Sequence, residues 1–148
     1  MTGYFASLTV GKLELPNRLV MAPMTRNRVR GDQVSELAAE YDAQRASAGL
    51  IVSEANAISE RGQGYALTPG LYSAAQVGAW QEVTEAVHAA GGRMFAQLAH
   101  CGRIGHPSLY AHGALPLAPS AIASGEQMHT PDGMLDHPTP REMTTADI

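Results

Sequence analysis

Three apolar runs with helical stretches between them constrain this chain most. "RLVMAPM" (18–24) is continuously apolar after Arg18, "LIVSEA" (50–55) opens on Leu50, Ile51 and Val52, and "RMFAQLAH" (93–100) is a third run of the same kind. The first two flank "SELAAEYDAQRASAG" (35–49), where Ser35 is placed to cap a helix and Gly49 to end it. Within it Leu37, Ala38, Tyr41, Arg45 and Ala48 recur near helical spacing. The last two flank "SAAQ" (73–76), a capping-box pattern, then a stripe of Val77, Trp80, Val83, Thr84 and Val87, and Gly91-Gly92 as a stop. Strands apolar on both faces and alternating with helices pair in parallel through right-handed crossovers. The fold class is α/β.

In front of this core, Leu8 and Val10, then Leu13 and Leu15, alternate on either side of Gly11-Lys12, which predicts a small hairpin. Behind it, residues 99–143 are rich in Pro, Gly and His and read as one long functional loop. At the end of the chain, Thr144 or Thr145 is placed to cap a helix with Asp147 in its first turn. Two architectures satisfy the pattern. A doubly wound sheet closes at this size, but no strand leads into a G-x-G-x-x-G turn. A (β/α)8 barrel typically takes about 250 residues, so three βα units in 148 residues would be part of one.

The charge balance limits the partners. With 10 Lys+Arg against 14 Asp+Glu, the net charge of -4 argues against nucleic acid. The densest basic stretch, "RNRVR" (26–30), reads as a solvated loop. No run approaches the roughly 20 apolar residues of a membrane span, and the first residues lack the pattern of a signal peptide. A cytoplasmic location is the expectation. The single cysteine, Cys101, excludes an internal disulfide.

In either architecture the chemistry sits at the carboxyl ends of the strands. Those ends are "APMTR" (22–26), "SEAN" (53–56) and "QLAHCGR" (97–103). They offer Thr25, Asn56, Gln97 and backbone amides, with Glu54, Arg26 and Arg103 as the charged groups. This suits a neutral heterocycle held by a few hydrogen bonds, rather than an acid/base hydrolase or a phosphate clamp.

Four ordered blocks carry a resemblance: "NRLVMAPMTRNR", "EYDAQRASAGLIVSEANAISERGQGY", "TPGLYSAAQVGAWQEVTEAVHAAGGRMFAQLAHCGRIGH" and "PLAPSAI". They resemble the Old Yellow Enzyme family of FMN-dependent ene-reductases, over Leu8 to Ile148. The resemblance implies the amino-terminal portion of a (β/α)8 TIM barrel: about three βα units plus a capping hairpin, with residues 1–148 as a partial FMN-binding domain truncated on its C-terminal side. It implies FMN as cofactor, NADPH or NADH as reductant, and an enone-type small molecule as substrate. Ala22, Pro23, Met24 and Thr25 would lie along the flavin ring, with the Thr25 hydroxyl on O4. Ala55 would bring backbone beside the ring, and the Gln97 amide would meet the pyrimidine edge, where donor and acceptor are both needed. The family often has Trp where this chain has Ala99. The family's tyrosine acid and its His/Asn substrate pair would lie beyond residue 148.

The remaining residues read as structural. Glu54 is an ion-pair partner for Arg26 and Arg103, Trp80 packs helix on sheet, and Tyr65 and Tyr72 shield a loop. His100 orders its loop and Cys101 is a small half-buried residue. His100, Cys101 and His106, with His112, His129 and His137 further on, match no metal-site spacing, so no metal is expected. A three-stranded piece would have two bare edges. The expectation is therefore self-association, or pairing with a complementary C-terminal half. The competing reading is a non-catalytic partial barrel acting only through such a partner.

Overall fold

The computed structural model describes residues 3–31, 33–130 and 133–147. Its centre is a parallel three-stranded sheet of β3 (Val20–Met21), β4 (Leu50–Ala57) and β5 (Met94–Ala99), in that order. Two crossover helices, α1 (Glu36–Ala43) and α2 (Ala74–Ala89), connect them. The predicted hairpin is present as β1 (Leu8–Val10) and β2 (Leu13–Leu15), turning at Gly11 with φ +61°. A core of Val29, Val34, Ala38, Trp80 and Val83 sits where α1, α2 and the loop after β3 meet. Trp80 thus packs α2 largely on α1 and that loop, with Met94 as the sheet residue beside the cluster.

Several boundaries differ from those in the sequence reading. Only Val20 and Met21 of the 18–24 run pair in the sheet, because the chain leaves β4 after Met21. Leu19 and Val20 stay exposed rather than buried on both sides. α1 stops at Ala43, well short of the predicted end at Gly49. After Ala43 the chain tightens into bonds from Arg45 N–H to Asp42 O and from Ala48 N–H to Arg45 O, at 3.0 Å each. Ser35 stands at the N-cap but makes no side-chain cap bond. The helix buries Ala38 and Asp42 and leaves Leu37 exposed, so its inward face carries a charge that an apolar stripe does not reveal.

α2 follows the sequence closely at its start. Ser73 Oγ accepts from Gln76 N–H, and Gln76 Oε1 accepts from Ser73 N–H at 3.1 Å. That box draws Gln76 inward, so the buried line is Gln76, Trp80, Val83 and Val87, while Val77 faces out.

The segment after β5 is more ordered than a long loop. β6 (Leu117–Ala118) pairs in parallel with β9 (Arg141–Glu142), and between them β7 (Gln127–Thr130) and β8 (Gly133–Asp136) form an antiparallel hairpin. At the end of the described residues, Thr145–Asp147 is a single 3-10 turn. Asp147 accepts from Arg141, from Thr144 N–H and from the Thr144 hydroxyl, which holds its carboxyl well below the usual range. Ile148 lies outside the described residues.

Candidate cofactor site

β4 and β5 are not in simple register. Ile51 and Val52 pair with Met94 and Phe95, then the ladder shifts, and Ala55 faces Gln97. The polar residues Ser53 and Asn56 take up the irregularity. Ser53 Oγ accepts from Gln97 N–H at 3.2 Å and from Asn56 Nδ2 at 3.0 Å, and donates to Glu54 O at 2.8 Å. Asn56 Nδ2 also reaches Gln97 O at 3.3 Å. The main chain of Gln97 is therefore gripped on both sides by buried side chains. Its own side-chain amide is exposed and bonds no described residue.

The segment that follows β3 lies beside these residues. Ala22, Pro23, Met24 and Thr25 follow β3 and are all exposed, and the Thr25 hydroxyl has no partner among the described residues. Arg26 N–H donates to Glu54 Oε2 at 3.3 Å, which holds this segment to β4 one residue before Ala55. Ala55 is half-buried, opposite Gln97. The six residues Ala22, Pro23, Met24, Thr25, Ala55 and Gln97 thus gather at the carboxyl end of the sheet. Ser53 and Asn56, which orient Gln97, were missed by sequence reasoning as its supports. Their signal was two short polar residues, flanking Glu54 and Ala55, in a strand otherwise apolar.

The charged residues follow expectation in part: Glu54 pairs with Arg26 as the sequence reading has it, but not with Arg103. Arg26 is not part of a solvated loop. Its guanidinium Nη2 pairs with Glu54 Oε1, its Nη1 lies 3.9 Å from Asp42 Oδ1, and its Cζ sits 4.3 Å over the Tyr41 ring. Arg103 does not reach Glu54 and donates to Ser120 Oγ at 3.1 Å instead. The loop roles hold for His100, whose Nδ1 accepts from Gly102 N–H at 3.1 Å. Burial pushes the Cys101 thiol up, the wrong direction for a nucleophile. Tyr110 donates to Gln63 O at 2.7 Å, and burial raises its hydroxyl to about 12, so it stays a donor at any ordinary pH.

Asp42 is the group out of balance. Burial pushes its carboxyl up; Arg26 pulls it down, Glu54 adds to the push, and Arg45 offsets part of it. Its Oδ2 has no hydrogen-bond partner among the described residues. A carboxyl raised in the folded state binds its proton more tightly there than in the unfolded chain. Its contribution is therefore favourable at low pH and lost as pH rises from the unfolded value through the folded one. Asp42→Asn is expected to raise stability by about 1 kcal/mol at pH 8, with the gain vanishing in acid. Urea midpoints at both pH values check this, and an equal gain at both would contradict it.

Residues 4–148 match the family model of the NADH:flavin oxidoreductase / NADH oxidase family. The chain belongs to this family. It is 42% identical over 152 residues to a chanoclavine-I aldehyde reductase of Penicillium roqueforti, covering all of this chain and 39% of that protein. It is 37% identical to 12-oxophytodienoate reductase 7 of Oryza sativa subsp. japonica, over 97% of this chain and 38% of the relative. Among solved structures, morphinone reductase in complex with tetrahydroNAD superimposes with a TM-score of 0.90 at 44% identity, over 98% of this chain and 42% of that one. The old yellow enzyme homologue from Zymomonas mobilis gives 0.90 at 43%, over 97% and 40%. The family resemblance read from the four blocks holds, and the architecture is that of the amino-terminal portion of a (β/α)8 barrel, not a doubly wound sheet. The chain spans about two fifths of the length of these relatives. Among the described residues, no helix is long and apolar enough to cross a membrane.

Proposed function

We propose that this chain supplies the flavin-facing part of an FMN-dependent ene-reductase. The observation that carries the reading is the exposed Gln97 side-chain amide, whose main chain is locked by Ser53 and Asn56 while the amide itself has no described partner. A locked backbone fixes the origin of the side chain, and the unengaged amide at its end offers both a donor and an acceptor to a ligand. That matches the alternating edge of a flavin pyrimidine ring. The unengaged Thr25 hydroxyl adds one further donor, and the small half-buried Ala55 lets a flat ring approach the strand. The donor set thus fits the group.

Bound FMN would supply hydride transfer from NADPH or NADH to an activated alkene. The chain's own part is to hold the ring. Ala22, Pro23 and Met24 would lie along it, Thr25 would donate to it, and Gln97 would meet its pyrimidine edge. Phosphate and substrate grips come from the part of the relatives that this chain does not span.

The test is an FMN titration followed by visible absorption. A shifted flavin band is expected, with Gln97→Ala binding about tenfold more weakly, the loss of roughly 1.4 kcal/mol of hydrogen bonding. An FMN spectrum unchanged by the chain would sink the reading.

A second reading has its own support. β3 and β5 each lack a second neighbouring strand among the described residues, and Val20, Phe95 and Leu98 are exposed on them. Such edges suit a complementary polypeptide carrying further βα units, or a second copy of this chain. On this reading the chain alone binds no flavin and acts only as part of the assembly.

A further inference from the structure

Arg26 uses one carboxylate twice. Its main-chain N–H donates to Glu54 Oε2 and its guanidinium to Glu54 Oε1. An ordinary ion pair constrains only side chains, and either partner's backbone is free to move beneath it. A main-chain donor removes that freedom, because the peptide plane itself must face the acceptor. The carboxylate cannot drift in turn, since the Glu54 side chain is 2% exposed. From α1, Tyr41 lies under the guanidinium and Asp42 beside it; Arg45 stacks on the same ring at 3.6 Å. One residue therefore ties the segment after β3, the middle of β4 and α1 together. Arg26 follows Thr25 directly, and Glu54 directly precedes Ala55.

We propose that Arg26 and Glu54 form a positioning latch that fixes Ala22–Thr25 against Ala55 and so sets the spacing of the two cofactor-facing segments. The purpose of the latch rests on the flavin reading above; its geometry does not. Neither residue touches the cofactor in this scheme. Both act through the backbone of their neighbours.

Glu54→Gln tests it, because glutamine keeps the shape but removes the charge and puts an NH2 where one of the two accepting oxygens stands. Amide hydrogen exchange on the full chain is the first readout. Peptides covering residues 20–28 are expected to exchange roughly tenfold faster, with α2 and the β7–β8 hairpin unchanged. Glu54→Asp, which keeps two oxygens, is expected to restore part of the protection. Unchanged exchange at 20–28 would overturn the latch. So would an equal rise throughout, which would signal a general loss of stability. Added FMN gives the second readout. If the parent shifts the flavin band, Glu54→Gln is expected to move the band back toward that of free FMN, and a band identical to the parent's would overturn the latch's role at the cofactor. If the parent itself leaves FMN unchanged, the flavin reading fails, and the exchange result alone decides the latch.

Discussion

Replacing Gly49 with alanine is expected to cost at least about 3 kcal/mol and to leave little folded chain. An added Cβ would overlap the Asn17 carbonyl oxygen and lie 2.9 Å from its carbon. These are backbone atoms, so no rotamer change relieves the contact. Nor can Asn17 withdraw. Its side chain accepts from Leu19 N–H at 3.0 Å and Gly49 N–H at 2.8 Å, and donates to Ser47 O at 2.9 Å. This joint sets the entry to β3 against the entry to β4, so pushing it apart unpairs the sheet at its first residues. The sequence suggested a helix stop for Gly49. Its φ is not in the left-handed region, and the structure shows a close-approach site in its place. Circular dichroism with a urea titration checks this, and a variant with the parent's midpoint would contradict it.

Trp80→Ala is expected to cost about 3–5 kcal/mol. The indole fills the contact among Val29, Val34, Ala38 and Val83, and a methyl group leaves a cavity that α1 and α2 cannot both close. Trp80→Phe separates volume from polarity. The indole Nε1 is buried without a described partner, so phenylalanine removes an unsatisfied donor along with part of the ring. Its expected cost is below about 1.5 kcal/mol. Urea midpoints of the two variants decide the point, and equal losses would show that the cavity argument fails.

The elements legible in the sequence were those whose cause is local. The Ser73–Gln76 box, the Gly11 turn and the strand cores at Ile51 and Met94 each follow from a few adjacent residues. What was illegible depends on partners far along the chain. Asp42 turns inward because Arg26 meets it there, a contact with no local signal, whereas the Arg26–Glu54 pair itself was read from the strand ends. The register shift between Val52 and Ala55 is sustained by Ser53 and Asn56 bonding across to Gln97. One miss had a local signal. The turn-favouring run Pro131-Asp132-Gly133 follows "QMHT" and opens "GMLD", hidden within a stretch read as a single loop. At the site, the strand-end rule pointed to the segments 22–26, 53–56 and 97–103, which the structure brings side by side; the six residues proposed to face the cofactor come from the family resemblance, and their supports depend on the same long-range bonds.

The β6–β9 pair gives the long segment a neck. Arg141 N–H bonds Pro116 O, and Met143 N–H bonds Ala118 O, each at 2.9 Å, so the chain returns to where it left. Everything between forms an excursion with its own hairpin, closed by His137 N–H on Glu126 O at 3.0 Å. Doubling the length of such a closed loop costs only about 0.6 kcal/mol in chain entropy. Closure therefore leaves the length of the excursion nearly unconstrained. Its fixed points are instead His137, which meets Gly105 O at 3.0 Å, and Ser120, which accepts from Arg103 at 3.1 Å, so added residues are tolerated between these two anchors and not at them.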